Sequence, residues 1–95
     1  MAIAAYFHPK NMTLTQFNEI HRRLEKAGAE PDRHRLHHSC FGEDGNLMVY
    51  DVWDSPQSLQ AFGEVLMPIL AEVGVDPGEP AVMPIHKLDQ AAASE

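Results

Sequence analysis

Histidine is the residue type with the clearest potential for chemistry in this chain. Six of the 95 residues are histidines, and three of them stand in one short segment, R-H-R-L-H-H-S-C-F, residues 33–41. Imidazole binds transition metals and exchanges protons near neutral pH. The segment also contains Cys40, and cysteine is a second common metal ligand. Metal binding and proton transfer are therefore the two kinds of chemistry to weigh.

A metal site on this segment would need ligands on one face of a strand. Alternation places His38 and Cys40 on the same face, about 6.6 Å apart along the strand, so they could share an ion. No third ligand is apparent, and no H-x-x-x-H or C-x-x-C spacing occurs. We therefore expect histidines that hydrogen-bond or face solvent, and no metal. The predicted faces carry His34, Leu36, His38 and Cys40 on one side, and Arg35, His37, Ser39 and Phe41 on the other.

Asp51 is the first candidate for proton transfer. It stands in N-L-M-V-Y-D-V-W and shares its alternation with Val49 and Trp53. If that side faces the helices, the carboxyl group lies in an apolar cavity, where burial raises its pKa and suits it to proton transfer. A structural carboxylate that pairs with Arg33 or Arg35, or that lies at a subunit interface, is the alternative.

His86 is the second catalytic candidate, because it lies on an otherwise apolar last strand. A neutral imidazole there could act as a base or hold a substrate oxygen; a core histidine satisfied by the backbone is the alternative. The candidates for substrate binding are mainly aromatic, since flat side chains can wall a pocket for a planar molecule. These candidates are Trp53, Tyr50, Phe62 and His38, with Tyr6 as a further aromatic wall.

The first predicted helix runs from Thr13 to Ala27. Thr13 and Gln16 form a capping box, and Gly28 is suited to a left-handed cap at the other end. The second helix follows Ser55 as N-cap and ends at Gly74. Pro68 inside it removes one hydrogen bond, which predicts a kinked or divided helix. The apolar positions with helical spacing are Leu14, Phe17, Ile20, Leu24 and Ala27 in the first helix, and Leu59, Phe62, Val65, Leu66, Ile69, Leu70 and Val73 in the second.

Four strands are predicted, at residues 2–8, 33–41, 47–54 and 81–88. Asp44-Gly45 is a strong hairpin signal that joins the second and third strands. Two interleaved strand-helix-strand units then give an α+β, ferredoxin-like βαββαβ domain over residues 1–88. Its antiparallel sheet has the order fourth, first, third, second, and both helices cover one face. Residues 89–95 are expected to form a frayed tail.

The third strand and second helix carry a resemblance to a known family. The segments V-Y-D-V-W-D-S-P-Q-S-L-Q-A-F and L-M-P-I-L-A-E-V-G resemble the antibiotic-biosynthesis-monooxygenase-like group of the dimeric α/β barrel superfamily. The resemblance implies a homodimer that stacks its sheets about 10 Å apart. The kink at Pro68 and the small Gly63 in the second helix also leave room for a pocket between sheet and helices, lined by Trp53 and Phe62. The haem-degrading branch is disfavoured, because its ligating histidine corresponds to Gly63 and its first-strand asparagine to Phe7.

Composition limits the partners. The net charge is −7, which makes nucleic acid and anionic membranes poor candidates. A single cysteine fits a reducing compartment such as a bacterial cytoplasm, and neither a signal peptide nor a membrane span is apparent.

The function predicted from these features is that of a cofactor-independent, monooxygenase-like enzyme acting on a small aromatic or polyketide-like molecule. Such chemistry asks for one base and an aromatic pocket, and no cofactor is expected. The alternative is a non-catalytic homodimer that binds a small ligand or has a structural role.

Overall fold

The computed structural model describes residues 1–89. Its elements follow in the order β1 (Ile3–Phe7), α1 (Leu14–Lys26), β2 (Arg35–Glu43), β3 (Asn46–Trp53), α2 (Pro56–Val73) and β4 (Ala81–Pro84). The strands form one sheet in the order β2-β3-β1-β4, and every neighbouring pair is antiparallel. This confirms the ferredoxin-like βαββαβ fold and the predicted strand order. The predicted tail lies outside the described residues from position 90 onward.

Both helices begin and end close to the residues that the sequence indicated. The Thr13 hydroxyl accepts from the backbone N–H of Gln16 at 3.1 Å, and the Gln16 side chain accepts from the N–H of Thr13 at 3.0 Å. Ser55 caps α2 by accepting from the N–H of Ser58 at 3.1 Å. Gly74 ends α2 with φ at 86°, a conformation that glycine adopts without a steric penalty. These contacts satisfy backbone groups that helix ends leave without partners.

Pro68 does not divide the second helix. α2 continues through it from residue 56 to residue 73. Phe62 before the proline and Ile69 and Leu70 after it are all buried, whereas Pro68 itself is exposed. Packing on both sides of the proline thus holds the helix together despite the hydrogen bond that proline removes.

The core lies between the helices and one face of the sheet. At its centre Trp53 is fully buried and packs against Phe62, with 4.9 Å between the ring centroids. The other core side chains come from both helices, from β1 and β3, and from the loops beside them. Removing this apolar surface from water is the main force that holds helices and sheet together.

The opposite face of the sheet is not covered by either helix. Side chains alternate across a strand, and the residues that face away from the core include Tyr6 on β1, Phe41 on β2 and Met83 on β4. All three are exposed. The sheet therefore presents apolar side chains on both faces, and the helices bury only one set.

A bulge in β2 changes which residues face the helices. Arg35 pairs with Trp53, and His37 pairs with the residue immediately before Trp53, so Leu36 is an extra residue in the strand. Strict alternation predicts Arg35 and His38 on opposite faces. The extra residue brings both to the helix side, which corrects the predicted assignment of Arg35.

The last strand is shorter than predicted. β4 ends at Pro84 instead of residue 88 and pairs only with β1, at the edge of the sheet. An edge is where a sheet tolerates proline, because one side of the strand needs no backbone donor. One further hydrogen bond runs from the Ile85 N–H to the Ala2 carbonyl, at 3.3 Å. His86 therefore follows the strand and does not belong to it.

Candidate active site

A cavity lies between the two helices and the helix-facing side of the sheet. It has a volume of about 80 Å³ and is partly open to solvent. One water molecule needs about 10 to 15 Å³ of cavity volume. The cavity can therefore hold several waters or a single aromatic ring. Most of its wall is apolar and includes Phe17 and Phe62. The polar side chains that line it are His21, Arg35, His38 and Asp51.

His38 and Asp51 form a close pair on the sheet side of the cavity. The β2–β3 register places them opposite each other, and 2.6 Å separate His38 Nδ1 from Asp51 Oδ1. The Asp51 side chain is 6% exposed and that of His38 is 24% exposed. A carboxylate can only accept hydrogen bonds, so Nδ1 must carry the proton and Nε2 of the neutral ring keeps its lone pair. Within residues 1–89, that buried Nε2 has no hydrogen-bond partner.

A second carboxylate–histidine pair lies beside the first. His21 Nδ1 lies 2.7 Å from Glu30 Oε1, and Arg35 donates to Glu30 Oε2 at 2.8 Å. The side chains of Glu30 and Arg35 are only 7% and 12% exposed. Burial alone would raise the pKa of Glu30, but the hydrogen bonds from His21 and Arg35 lower it below its ordinary value. Glu30 is therefore an ionised carboxylate at neutral pH.

Phe17 brings the two imidazole rings together. Its ring stacks on His38 with 6.1 Å between centroids and packs at a tilt on His21 at 4.4 Å. The centroids of the two imidazoles are 5.0 Å apart. The cavity thus places two histidines, each oriented by its own carboxylate, beside an apolar space.

The predicted site residues on the helix-facing side lie in or next to this cavity. Asp51, His38 and Phe62 line it. Trp53 packs behind Phe62 and is not one of the lining residues; Arg35 lies over the Trp53 ring, 5.9 Å from its centroid. Trp53 Nε1 is buried and has no hydrogen-bond partner within residues 1–89.

Tyr50 and His86 are not at this cavity. Tyr50 stands between Asp51 and Val49 on β3 and therefore points to the uncovered face, where its ring lies 5.6 Å from that of His37. It cannot wall a pocket together with Trp53 in one protomer, because the sheet lies between them. His86 is exposed beyond the end of β4 and does not line the cavity, so Asp51 and His86 do not flank one space there.

Cys40 is a free, half-buried cysteine on β2. Burial raises the pKa of the Cys40 thiol, so it remains protonated at neutral pH. Within residues 1–89, no group of three or more His, Cys, Asp or Glu side chains is arranged to hold a metal ion. None of the helices described has the length and apolar character needed to cross a membrane.

The sequence did not indicate His21 or Glu30 as site residues, and it suggested Arg35 as a partner of Asp51, whereas the structure pairs Arg35 with Glu30. A signal existed for His21, which follows Phe17 by four positions and precedes Leu24 by three, so it falls within the apolar stripe of α1. Arg35 was assigned to the wrong face because no sequence pattern indicated the bulge. Glu30 lies in a loop, where neither the 3.6-residue period of helices nor the two-residue period of strands indicates which side chains face the core.

Comparison with known proteins gives matches at the level of structure alone. The sequence matches no protein-family model, and no curated protein matches it. SnoaB, a cofactor-independent oxygenase from Streptomyces nogalater, superposes with a TM-score of 0.66 at 11% identity, over 92% of this chain and 95% of SnoaB. MupZ from Pseudomonas fluorescens gives 0.61 at 13% identity, over 85% of this chain and 69% of MupZ.

A third solved structure carries the name of the family that the sequence resembles. It is a protein from Chloroflexus aurantiacus provisionally named as an antibiotic biosynthesis monooxygenase, with a TM-score of 0.58 at 16% identity. The match covers 92% of this chain and 97% of that one. Similarity at such low identity establishes the fold. The chain therefore has the ferredoxin-like fold of the antibiotic-biosynthesis-monooxygenase-like proteins, as its sequence resemblance predicted.

Proposed function

We propose that this protein is a cofactor-independent, monooxygenase-like enzyme that acts on a small aromatic or polyketide-like molecule. The observation that carries the proposal is the His38–Asp51 pair in an otherwise apolar cavity, with Nε2 of His38 lacking a hydrogen-bond partner among the described residues. A general base needs a positioned lone pair within reach of the substrate proton. His38 supplies that lone pair after a small shift of its ring brings the buried Nε2 toward the cavity, and Asp51 orients the ring.

The chemistry begins with removal of a proton from an enol or phenol hydroxyl by Nε2 of His38. The resulting anion carries part of its charge on carbon, and that carbon bonds to O₂. The proton held by His38 then converts the peroxide anion into a hydroperoxide, which loses one water and leaves a C=O group. In the net reaction one CH₂ group and one O₂ become one C=O group and one water. All four electrons that reduce O₂ come from the substrate.

Asp51 stabilises this sequence through His38. When His38 takes the proton, the ring becomes a cation, and the carboxylate 2.6 Å from Nδ1 stabilises that charge. The apolar wall limits the access of water, which strengthens the electrostatic interaction. The assignment makes His38 the base and Asp51 its positioning residue, whereas the sequence suggested Asp51 itself as the base.

The proposal includes a homodimer formed through the uncovered face of the sheet. Exposed apolar side chains on that face, among them Phe41 and Met83, support it. Light scattering at low micromolar concentration should give twice the monomer mass. Phe41→Asp should shift the protein toward monomer, because stacking would bury the new charge. A monomer in the unaltered protein would contradict this part of the proposal.

The test of function is a panel of enolisable aromatic ketones of increasing size, from indan-1-one, whose one aromatic ring the cavity can hold, to anthrone, part of which would extend through the open side of the cavity. A ligand raises the thermal midpoint of the native protein by mass action. At least one member should do so and should then be oxidised with consumption of one O₂ per molecule. A ligand that stabilises the protein without oxygen consumption would favour the non-catalytic alternative.

A further inference from the structure

The two carboxylate–histidine pairs of the cavity leave the same atom of each ring unused. His38 Nδ1 contacts Asp51, and His21 Nδ1 contacts Glu30. Within residues 1–89, Nε2 of His38 is buried and has no hydrogen-bond partner, and the side-chain hydrogen bond of His21 is made through Nδ1. The proposed reaction uses Nε2 of His38 only, and His21 has no part in it.

The carboxylates determine what the unused nitrogens can do. Because Glu30 is ionised and can only accept, the proton of the neutral His21 ring lies on Nδ1 and Nε2 keeps its lone pair. The same holds for His38 beside Asp51. Both nitrogens are therefore acceptors, and two hydroxyl donors would complement them. Nε2 of His38 is buried, so a hydroxyl reaches it after a small shift of the ring toward the cavity that His38 lines.

The surroundings of the rings favour one ligand that carries both hydroxyls. With 5.0 Å between their centroids, the imidazoles are close enough for one small molecule to contact both. Phe17 packs on each ring, which limits their freedom to rotate. The remaining wall is largely apolar, and such a wall suits the body of an aromatic ring while a few polar groups fix its orientation.

We infer that the cavity recognises an aromatic diol, with one hydroxyl bound to Nε2 of His38 and the other to Nε2 of His21. His21 is then the residue that distinguishes a diol from a monophenol. This inference rests on the proposed function in taking the cavity as the substrate site, and it adds the substrate class and a specificity-determining residue.

The experiment measures the binding of phenol, catechol, resorcinol and hydroquinone to the full chain. Oxygen is excluded so that the diols do not oxidise, and affinities come from calorimetric or NMR titration. At least one diol is expected to bind about tenfold more tightly than phenol, the difference that one additional hydrogen bond supplies.

The decisive variant is His21→Phe, which keeps a ring against Phe17 and leaves Glu30 paired with Arg35. It should reduce the affinity for the preferred diol to about that for phenol, while phenol binding changes by less than about twofold. His37→Phe is the matched control, because that ring lies on the uncovered face beside Tyr50; it should leave the diol preference intact. Thermal melts establish that each variant is folded.

A second variant keeps the inference testable if His21→Phe does not fold. Glu30→Gln replaces an acceptor by an amide that can also donate, so the proton of His21 is no longer held on Nδ1. The diol preference should fall in this variant as well.

Equal binding of phenol and all three diols would overturn the inference, as would a diol preference that survives loss of the His21 nitrogens. A preference that a chelator abolishes would also overturn it, since a metal would then bridge diol and protein. These results are distinct from the test of function. Oxygen consumption without a diol preference would leave the proposed enzyme standing, and a diol preference without oxygen consumption would leave only the binding site.

Discussion

Two carboxylate–histidine pairs connect the β2 side of the sheet with the β3 side. The distance between the partners is nearly the same in both pairs, but their surroundings differ strongly. His38 and Asp51 approach to 2.6 Å in the cavity, and His34 and Asp54 approach to 2.7 Å where β2 begins and β3 ends. The cavity pair is largely buried, whereas the His34 and Asp54 side chains are 46% and 40% exposed. Distance alone therefore does not distinguish a candidate catalytic pair from a surface pair.

The two aspartates also differ in what else they bind. Asp54 accepts a hydrogen bond from the Ser58 hydroxyl at 2.6 Å, and the hydrogen bonds from Ser58 and His34 lower its pKa. It thus helps to fix the start of α2, next to the capping residue Ser55. Among residues 1–89, the Asp51 side chain has a single hydrogen-bond partner, His38, and that ring borders the cavity. We infer that Asp54 has a structural role at the start of α2 through Ser58, with His34 as a dispensable surface partner, whereas the buried pair is available for chemistry.

The largest expected difference between the pairs is in turnover. His38→Gln should lower the rate of oxygen consumption with an active ketone by about two to four orders of magnitude, the usual contribution of a general base. His34→Gln removes the corresponding ring of the exposed pair and should leave the rate unchanged. If both variants retain full activity, His38 is not the base; if both lose it equally, burial does not separate the two pairs.

The next difference is in stability. His38→Ala leaves the Asp51 carboxylate buried without its partner, which should lower the free energy of unfolding by about 1 to 3 kcal/mol. In His34→Ala, solvent replaces the lost partner of Asp54, and no measurable change is expected. Urea denaturation of both variants measures the difference. Similar losses in the two would show that the exposed pair contributes to the fold as much as the buried one.

The smallest expected effect is on the thermal stability of the protein at acidic pH. A carboxyl group whose pKa is lowered by folding stabilises the native state at pH values above its ordinary pKa, about 4 for aspartate, and this contribution is lost as the pH falls. Asp54→Asn should therefore show a shallower fall of thermal midpoint below about pH 4.

The acid measurement compares the variant with the unaltered protein across the same pH range. Hydrogen bonds from Arg22 and Arg23 lower the pKa of Glu19 to about 2, so Glu19 titrates there too and contributes equally to both profiles. Parallel profiles for Asp54→Asn and the unaltered protein would contradict the assignment.

The sequence predicted the fold better than the site, for physical reasons that particular residues illustrate. Thr13 and Ser55 act within one turn of the chain, so local chemistry reveals both helix starts. Asp51 was found because it interrupts an apolar alternation on β3. Which partner it meets depends on strand register, and no local pattern in the sequence pairs it with His38. The position of His86 depends on where β4 ends, which pairing with β1 decides and local pattern does not.

The extra residue Leu36 in β2 determines which polar side chains reach the cavity. With Leu36 present, Arg35 and His38 share a face although three positions separate them, a spacing more typical of a helix. Deleting it would restore plain alternation and would turn Arg35 away from Glu30 while leaving every neighbouring amino acid the same. When related chains are aligned, a one-residue gap at this point therefore changes the contents of the cavity more than many substitutions would. Relatives that share the bulge, rather than those with the highest overall identity, are the ones in which the same five charged and polar side chains can meet.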